Sequence, residues 1–462
     1  MDVEVADRWW WQEYPVRDRE YVRWYPPDLR PMTGEQLWAN QADCIPGAFG
    51  IYLHIPFCEV ICPFCPYHKA VATEDDATEL TAWLIRELEL YKRYTTVTDQ
   101  PVHFIYFGGG TPSILPPRSV DDLLGHIDKN FKGIDTAEIT MEINPGFISE
   151  DKLRSFRSAG LNRVSFGIQS FDDRWLKVIG SHHSAADAVN AIGASRKVGF
   201  ENVGIDLLFR LPGQTLSDWS NDISKAIAQD FDHISTYSMV VDPDGGLGHQ
   251  LASGKLPQQP DEEADLAMSL EAFERFGAAG LYHYASCASC GHDFARPGRE
   301  SKYEVLHWGA PQASYIGIGP GAYGFVNDHI YCTLHNQAQY QRYLANGSIP
   351  VVAAKRLSRL DAMARYFVLG VKCVNVDFGP FRTRFGEDPM DVFREPIAWL
   401  NREGLAELTP SGLKVTQRGV LYMDNVSKAF YSPETKYCPQ PLEHDIQALS
   451  RQVPISLTGA VG

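Results

Sequence analysis

The sequence predicts an α/β fold: an open, partial barrel of six βα units followed by a C-terminal helical module that resembles a winged helix. Between residues 50 and 240, apolar runs of strand length alternate with amphipathic runs of helical length. This alternation is typical of a parallel sheet covered by helices. Six units are too few for a closed, eight-stranded TIM barrel, so we expect a partial TIM-like barrel with its chemistry at the carboxyl ends of the strands.

Each unit of the barrel follows from a local pattern. The predicted strands are Gly50–Ile55, His103–Phe107, Glu138–Ile143, Arg163–Gly167, Val203–Leu208 and His233–Met239. The predicted helices between them are Ala77–Tyr94, Val120–Phe131, Glu150–Ala159, Ala185–Val198 and Ser217–Ala228. Together with a helix over Asp261–Ala279 and a segment rich in glycine, cysteine and histidine, they form a predicted core domain over residues 46–350.

Three further segments complete the predicted organisation. Residues 1–45 are rich in tryptophan and proline, which indicates an extension packed on the outside of the core, or a partly disordered tail. Residues 351–435 form the C-terminal module, and residues 436–462 carry no pattern. The predicted elements of that module are the helices Ser358–Lys372 and Asp391–Arg402 and the strands Gly404–Leu408 and Gly412–Thr416.

Composition excludes several classes of function. The 462 residues include 58 acidic and 42 basic side chains, a net charge of −16. An acidic surface repels nucleic-acid phosphates and anionic membranes. The sequence has neither a run of eighteen apolar residues nor a basic start followed by an apolar stretch, so we expect no membrane span and no secretory signal. These features predict a cytoplasmic protein, which we expect to be a monomer.

Three of the nine cysteines form the strongest motif of the sequence. Cys58, Cys62 and Cys65 are spaced C-x3-C-x2-C in the loop after the first strand. Three thiolates on such a loop can hold three irons of a [4Fe–4S] cluster and leave the fourth iron for another ligand. A structural zinc site is the weaker alternative, because it needs a fourth ligand and only His68 is near.

These cysteines and the preceding Tyr52-Leu53-His54-Ile55-Pro56-Phe57 resemble the radical S-adenosylmethionine (SAM) superfamily, and within it the branch of oxygen-independent coproporphyrinogen III oxidase. The resemblance covers about residues 50–430. It implies that the open iron binds SAM and that an electron from the cluster cleaves SAM to a 5′-deoxyadenosyl radical.

The resemblance also implies the cofactor-binding residues. Gly109, Gly110 and Thr111 lie in a glycine-rich turn after the second strand, where the backbone can approach a ligand closely. Glu142 ends the third strand, Gln169 follows the fourth, and Asp206 lies in the fifth. The positions that match Gln169 and Asp206 contact a second SAM in the family. Plain structural roles are the alternative for each of these polar residues. Further expected cofactor-lining positions are Tyr52, Phe64, Ser238 and Tyr323.

The sequence also departs from the branch. Cys65 is followed by Pro66 and not by the further cysteine of the oxidase, and Ser181 stands where an arginine is expected to contact the carboxylate of the second SAM. Arg210 replaces a glycine after the fifth strand, either as a substitute charge or as a surface residue. We interpret the pair Cys287 and Cys290 as an insertion. The alternatives for its role are a redox pair, a partial metal site, a reactive thiol or plain thiols.

Four functions of the branch remain open. We favour a class C radical SAM methylase or cyclopropanase, in which a SAM-methylene radical adds to an sp2 carbon of a planar aromatic or heterocyclic natural product. The haem-related alternatives are coproporphyrinogen decarboxylation, anaerobic haem ring-opening and a haem chaperone. The absence of a His-Asn-Leu-like stretch after Gly298 counts against the chaperone. A binding module with a purely structural cluster is the non-enzymatic alternative.

The expected partners follow from the chemistry that the resemblance implies. They are a small-molecule substrate and an electron donor such as flavodoxin or ferredoxin, with a partner methyltransferase as a further candidate. The sequence does not identify the acid or base that moves protons after radical addition, because too many Tyr, His and Cys residues qualify.

Overall fold

The structure, a computed structural model, describes most of the chain. The described residues are 14–38, 47–65, 69–435, 438 and 448–449. Trp9, Trp10, Trp11, Cys44 and His68 therefore lie outside the described residues, as does nearly all of the predicted tail. No helix in the described ranges is long and apolar enough to cross a membrane.

The first half of the chain contains the predicted alternation of strands and helices. In chain order its elements are β1 (Arg30–Pro31), α1 (Gly34–Trp38), β2 (Phe49–Ile55), β3 (Phe57–Cys58), β4 (Ala70–Val71), α2 (Glu74–Tyr91), α3 (Thr95–Thr98), β5 (Val102–Gly109), α4 (Pro117–Asn130), β6 (Glu138–Ile143), α5 (Glu150–Ala159), β7 (Arg163–Gln169), α6 (Asp173–Ile179), α7 (Ala185–Lys197), β8 (Asn202–Phe209), α8 (Leu216–Ile227) and β9 (His233–Ser238). All six predicted strands and all five predicted helices are confirmed, with ends that differ by a few residues.

Side-chain caps explain where several of these helices begin. Thr73 accepts a hydrogen bond from the backbone N–H of Asp76, whose side chain in turn accepts one from the backbone of Thr73. Ser184, Thr215 and Ser358 form the same capping box. The predicted start of α2 at Ala77 was three residues late, because apolar periodicity does not register the acidic first turn that follows the cap.

The middle of the chain extends the sheet on both sides of the barrel. Its elements are α9 (Gly246–Ala252), α10 (Glu262–Ala278), β10 (Tyr282–Ala288), β11 (Gly291–Ala295), α11 (Lys302–Trp308), β12 (Ser314–Ile318), β13 (Tyr323–Val326), β14 (His329–Thr333), α12 (Gln337–Ala345) and β15 (Val351–Arg356). The predicted helix Asp261–Ala279 is confirmed as α10.

The C-terminal module contains one strand more than predicted. Its elements are α13 (Arg359–Gly370), β16 (Asn375–Asp377), α14 (Phe378–Phe385), α15 (Pro389–Val392), α16 (Arg394–Arg402), β17 (Ala406–Leu408), β18 (Gly412–Val415), α17 (Gln417–Leu421) and α18 (Met423–Lys428). The prediction of one helix over Asp391–Arg402 was wrong. Phe393, with φ −119° and ψ 31°, leaves the helical region and separates α15 from α16.

One sheet of thirteen strands organises the core. Its order is β1-β15-β14-β13-β12-β2-β5-β6-β7-β8-β9-β11-β10, and β16-β18-β17 form a separate small sheet. The strands from β2 to β9 in this order are parallel, so their carboxyl ends meet at one edge. This is the predicted open, six-stranded barrel.

The carboxyl ends of these strands are less buried than their middles. The residues concerned are half-buried, whereas most of their immediate neighbours are buried against the helices; they are Tyr52, His54, Gly109, Glu142, Gly167, Gln169, Asp206, Leu208 and Tyr237. Because side chains alternate between the two faces of a strand, this pattern marks a cavity that opens at the carboxyl edge of the barrel.

Candidate functional site

The loop after β2 brings the three motif cysteines together. Cys58 is buried, whereas Cys62 and Cys65 are half-buried. The backbone N–H of Cys65 donates to the carbonyl of Cys62 at 3.2 Å, and the Lys69 Nζ donates to the carbonyl of Cys65 at 2.8 Å. The loop is further fixed by Ala72, whose N–H donates to the carbonyl of Cys58 at 3.1 Å.

The three thiols of this loop need a nearby positive charge in order to ionise. Burial raises the pKa of Cys62 to about 11, and the neighbouring Cys65 and Cys58 thiols raise it further, whereas Lys69 opposes the shift. Burial likewise raises the pKa of Cys58. Three neighbouring thiols in such a site become thiolates only when positive charge is supplied, as iron does.

The donor set fits a cluster better than one metal ion. Within the described ranges, no three His, Cys, Asp or Glu side chains are placed to hold a single metal ion. Ligands that each bind a different iron stand farther apart than ligands of one ion. A zinc site made of described residues is therefore not formed, and His68 lies outside them.

The end of β5 packs directly on the cysteine loop. The N–H of Gly110 donates to the carbonyl of Ile55 at 2.7 Å, and the N–H of Thr111 donates to that of Phe57 at 2.6 Å. Gly109 has φ +115°, a conformation that favours glycine. The predicted glycine-rich turn thus lies beside Cys58, as the sequence indicates.

Glu142 occupies the carboxyl end of β6 inside the barrel. The Tyr106 hydroxyl donates to its Oε1 at 2.9 Å. Burial and, to a lesser extent, the nearby Asp206 raise the pKa of Glu142 to about 8, against the hydrogen bonds from Tyr106 and the Gly109 backbone. A carboxyl group held in this way is stabilised as an anion when a cationic ligand arrives.

Gln169 and Asp206 lie on adjacent strands of the same edge. Gln169 has φ +65° and follows a register shift between β7 and β8, which turns its side chain back towards Gly167. Asp206 pairs in register with Gly167 and Ser235. Burial raises the pKa of Asp206 to about 7, against the positive charge of Arg163.

Ser238 and Arg210 follow at the ends of β9 and β8. The Ser238 hydroxyl donates to Asp265 Oδ2 at 3.1 Å, and the Ser238 N–H donates to the carbonyl of Cys290 at 2.7 Å. Arg210 is half-buried and lies 3.8 Å from the same Asp265 oxygen. It is therefore a residue of the barrel rim and not a surface residue.

The remaining predicted site residues lie in three environments. Tyr52 stacks on Tyr106, with ring centroids 6.0 Å apart, and its hydroxyl is 3.2 Å from His54 Nδ1. Phe64 packs against an apolar cluster around Leu211 at the end of β8. Tyr323, at the start of β13, stacks instead on Trp24 of the N-terminal segment, at 4.3 Å.

Several interior residues were not predicted from the sequence. Tyr303 stacks on Tyr106 at 4.2 Å and continues the aromatic wall begun by Tyr52. Arg163 lies among buried carboxyl groups, and its Nε has no partner among the described residues. The carboxyl groups are those of Glu138, Asp206, Asp293 and Glu304. The alternation of β5 and β7 places Tyr106 and Arg163 inside, a signal that sequence analysis could have used.

The two inserted cysteines differ in their surroundings. Burial raises the pKa of Cys287 well above its usual value, and Asp293 raises it further. Burial raises the pKa of Cys290 to about 12, with Asp424 adding to the shift. Both are half-buried free thiols in a largely buried hairpin, and neither has the lowered pKa of a reactive cysteine.

Comparison with known proteins identifies the family. The family model described as "Radical SAM superfamily" matches residues 52–226, and that described as "HemN C-terminal domain" matches residues 357–422. The heme chaperone HemW of Bacillus subtilis is 30% identical over 381 residues, which cover 82% of this chain and 98% of that protein. The chain belongs to the HemN-like family of radical SAM proteins. Its cofactors are therefore a [4Fe–4S] cluster and SAM, and Cys58, Cys62 and Cys65 fit the cluster.

Two further similar proteins match this radical SAM protein over a comparable share of its chain. The HemW of Mycobacterium tuberculosis (strain H37Rv) is 31% identical over 405 residues, covering 87% of this chain and 96% of that protein. The structure of coproporphyrinogen III oxidase (HemN) from Escherichia coli superposes with a TM-score of 0.76 at 23% identity, covering 89% of this chain and 96% of that one. The likeness to HemN confirms the partial barrel with a C-terminal helical domain.

The comparisons do not support the expected methylase or cyclopropanase subtype. Curated relatives that match over 82% and 87% of this chain carry the name of heme chaperones, so among the functions left open by the sequence they favour the haem-related alternative.

Proposed function

We propose that this radical SAM protein is a haem-binding, chaperone-like member of its family. One observation carries the proposal: the similarity to heme chaperones extends over nearly their entire length, through the cluster loop, the barrel and the C-terminal module. A match confined to the cluster loop would indicate only shared SAM chemistry.

The interior of the barrel suits a planar ligand. Tyr52, Tyr106 and Tyr303 present stacked rings, and the carboxyl ends of β6 to β9 are half-buried beside them. Aromatic rings offer a large apolar area to a flat macrocycle, with hydroxyl groups at the edge. This wall supports binding of a tetrapyrrole, and it would equally accept another flat aromatic molecule.

Each predicted site residue has a role in this proposal. Cys58, Cys62 and Cys65 hold the cluster, and Gly109 and Glu142 seat the SAM beside it, with Tyr52 and Phe64 as further contacts. The cluster and SAM, when both are bound and reduced, supply a 5′-deoxyadenosyl radical. Gly110, Thr111, Gln169 and Asp206 hold a second SAM, and Ser238 and Tyr323 complete the cofactor lining.

The test is haem binding by the purified holoprotein. Anaerobically reconstituted protein is titrated with iron protoporphyrin IX and followed by the Soret absorption, with and without SAM. Saturable binding of one haem per chain supports the proposal. If the protein binds no haem but converts SAM to 5′-deoxyadenosine and S-adenosylhomocysteine, the chaperone proposal is rejected in favour of SAM-methylene transfer.

A specific observation favours that second candidate. Burial raises the pKa of Asp206, which lines the cavity, to about 7, so in the ligand-free protein this carboxyl group exchanges its proton near neutral pH. Methyl or methylene transfer to an sp2 carbon ends in such a proton movement. A binding-only function does not require it. Mass spectrometry of the nucleosides formed with SAM and dithionite distinguishes the two candidates.

The expected partners, location and oligomeric state of the protein follow from this chemistry. We expect an electron donor such as flavodoxin or ferredoxin, a cytoplasmic location and a monomer. A small-molecule aromatic substrate and a partner methyltransferase are expected only for the second candidate.

A further inference from the structure

Arg210 has an unusual position for a cation. It follows directly on β8, at the carboxyl edge that carries Gln169 and Asp206, and its backbone has φ +58°. Its side chain is 17% exposed. A charged side chain enclosed at the edge where α/β barrels bind their ligands needs an anionic partner.

The carboxylates of the protein balance only part of the positive charge at this site. Asp265, at the start of α10, is fully buried, and its Oδ2 is shared by Arg17 at 3.1 Å, by Arg19, and by Arg210 at 3.8 Å. Glu262 is the second carboxylate and pairs with Arg17 and Arg19. Three guanidinium groups therefore face two carboxylates, and one positive charge is left over.

The surplus charge resides on Arg210 and Arg19 and not on Arg17. The nitrogens of Arg17 are all engaged, with Leu421, Ser289 and the two carboxylates. Arg210 uses only its Nε, which donates to the carbonyl of Pro260 at 2.8 Å. Its two terminal nitrogens have no hydrogen-bond partner among residues 14–38, 47–65 and 69–435.

The charges around Arg210 confirm the imbalance. Burial lowers the pKa of Arg210, and the repulsion of Arg19 lowers it further, against the attraction of Asp265 and Glu262. Asp265 also keeps a buried oxygen, Oδ1, with no hydrogen-bond partner in the described part of the chain.

We propose that Arg210, assisted by Arg19, binds a carboxylate group of the ligand held at the mouth of the barrel. A guanidinium group presents two parallel N–H donors that match the two oxygens of a carboxylate. Two ligands of this protein carry such a group: SAM, through its α-carboxylate, and a tetrapyrrole, through its propionates. The second source rests on the proposed haem-binding function, whereas the first does not.

The experiment compares each carboxylate ligand with a counterpart that lacks the free carboxylate group. Reconstituted, unreduced holoprotein is titrated with SAM and with decarboxylated SAM, and separately with iron protoporphyrin IX and its dimethyl ester. SAM bound at the cluster is followed by Mössbauer spectroscopy of the unreduced cluster and serves as an internal reference. Wild type and Arg210→Gln are compared for all four probes.

The proposal predicts a selective loss. Arg210→Gln weakens binding of one carboxylate ligand about ten- to a hundredfold, while its counterpart without the carboxylate binds as it does to wild type. Loss confined to SAM identifies the α-carboxylate, and loss confined to the porphyrin identifies a propionate. Arg210→Lys, which keeps the charge but not the paired donors, gives an intermediate affinity.

The controls separate binding from folding. Arg196→Gln removes a guanidinium that already pairs with two carboxylates, those of Asp230 and Asp232, and leaves all four affinities unchanged. If Arg210→Gln does not fold, Arg19→Gln tests the same site from its more exposed side. Equal affinities in wild type and variant, or equal losses for a ligand and its counterpart without the carboxylate, would overturn the proposal. Failure of wild type to bind any haem rejects the haem-binding function, and the SAM titrations still decide the carboxylate site.

Discussion

Gly110 determines how closely the second strand approaches the cluster loop. A Cβ at this position would lie 2.5 Å from the carbonyl oxygen of Phe57 and 3.0 Å from the Sγ of Cys58. The first neighbour is backbone and cannot rotate away. Any side chain at residue 110 would therefore push the first cysteine of the cluster loop out of position.

Gly110→Ala is expected to abolish cluster binding. The displaced Cys58 no longer meets Cys62 and Cys65, so reconstituted protein retains little iron and sulfide and lacks the cluster absorption. Gly125→Ala, in α4, is the matched control, because a Cβ there meets nothing within 4 Å. Iron uptake equal to that of wild type by Gly110→Ala would show that the close approach is not required.

A second single residue, Glu87, supports the glycine-rich segment between β12 and β13. Its Oε2 accepts the N–H of Gly319 at 2.8 Å and the hydroxyl of Tyr340 at 2.5 Å, whereas Oε1 has no partner in the described part of the chain. Burial raises the pKa of Glu87 from 4.5 to about 8, against these two hydrogen bonds. The side chain is therefore protonated in the folded protein at neutral pH.

This pKa predicts how stability changes with pH. Between about pH 4.5 and pH 8 the folded protein retains a proton that the unfolded chain has lost, so stability falls as the pH rises through this window. Glu87→Gln keeps an acceptor oxygen without the charge and removes that loss. Its stability relative to wild type should rise by on the order of a few kcal/mol from pH 5 to pH 8.5, measured by urea unfolding. Glu79→Gln, on the exposed face of the same helix, should leave the slope unchanged; identical slopes for Glu87→Gln and wild type would contradict the assignment.

At the scale of elements, the strands were predictable because burial of one face imposes a period on the sequence. The ends of the helices were less predictable from the sequence, because caps such as Thr73 act through a single side chain. The break at Phe393 and the register shift before Gln169 have no local signature at all: each depends on what the backbone packs against. Sequence patterns thus located the cluster loop and the strand ends, but not the orientation of the side chains there.

The contact between β7 and α8 shows how elements position the site. Asp222 of α8 accepts the Ser170 hydroxyl at 2.5 Å and the backbone N–H of Phe171 at 2.7 Å. These bonds hold the turn that begins at Gln169. Asp222 is 1% exposed, so its partners have no water to replace it.

Asp222→Ala is expected to destabilise the fold by about 2–3 kcal/mol, because two hydrogen bonds to a charged group are lost and Phe171 keeps a buried N–H. The turn also loosens around Gln169, so SAM affinity falls more than in an equally destabilised variant elsewhere. Urea unfolding and SAM titration measure the two effects. Asp121→Ala, exposed on α4, should change neither, and an unchanged SAM affinity for Asp222→Ala would show that the turn is held by other contacts.

At the scale of the whole molecule, the N-terminal segment joins parts that are distant in sequence. Tyr25 of this segment contacts the residues after α18, and its hydroxyl is 2.9 Å from Thr435 Oγ1. Asp424 of α18 accepts the N–H of Val22 at 3.3 Å and that of Ser289 at 2.9 Å. The sequence predicted an outer extension but not these contacts, because partners some four hundred residues apart leave no periodic pattern.

Arg17 is the centre of this junction. Its Nε donates to the carbonyl of Leu421 in α17 at 2.7 Å, and its terminal nitrogens bond Ser289 in the β10–β11 hairpin and Asp265 and Glu262 in α10. One buried guanidinium group therefore links the N-terminal segment, the core and the C-terminal module.

Arg17→Met should uncouple the three parts while each keeps its own fold. Methionine fills much of the volume but leaves buried acceptors without a donor, at a cost on the order of 3 kcal/mol. Because the bonds of Arg17 reach all three parts, hydrogen exchange should accelerate together in residues 14–25, 287–293 and 417–428. Arg402→Met, whose exposed guanidinium group contacts only Glu403 among the described residues, is the control and should leave exchange unchanged. Faster exchange restricted to residues 14–25 would mean that the C-terminal module docks on the barrel independently of the N-terminal segment.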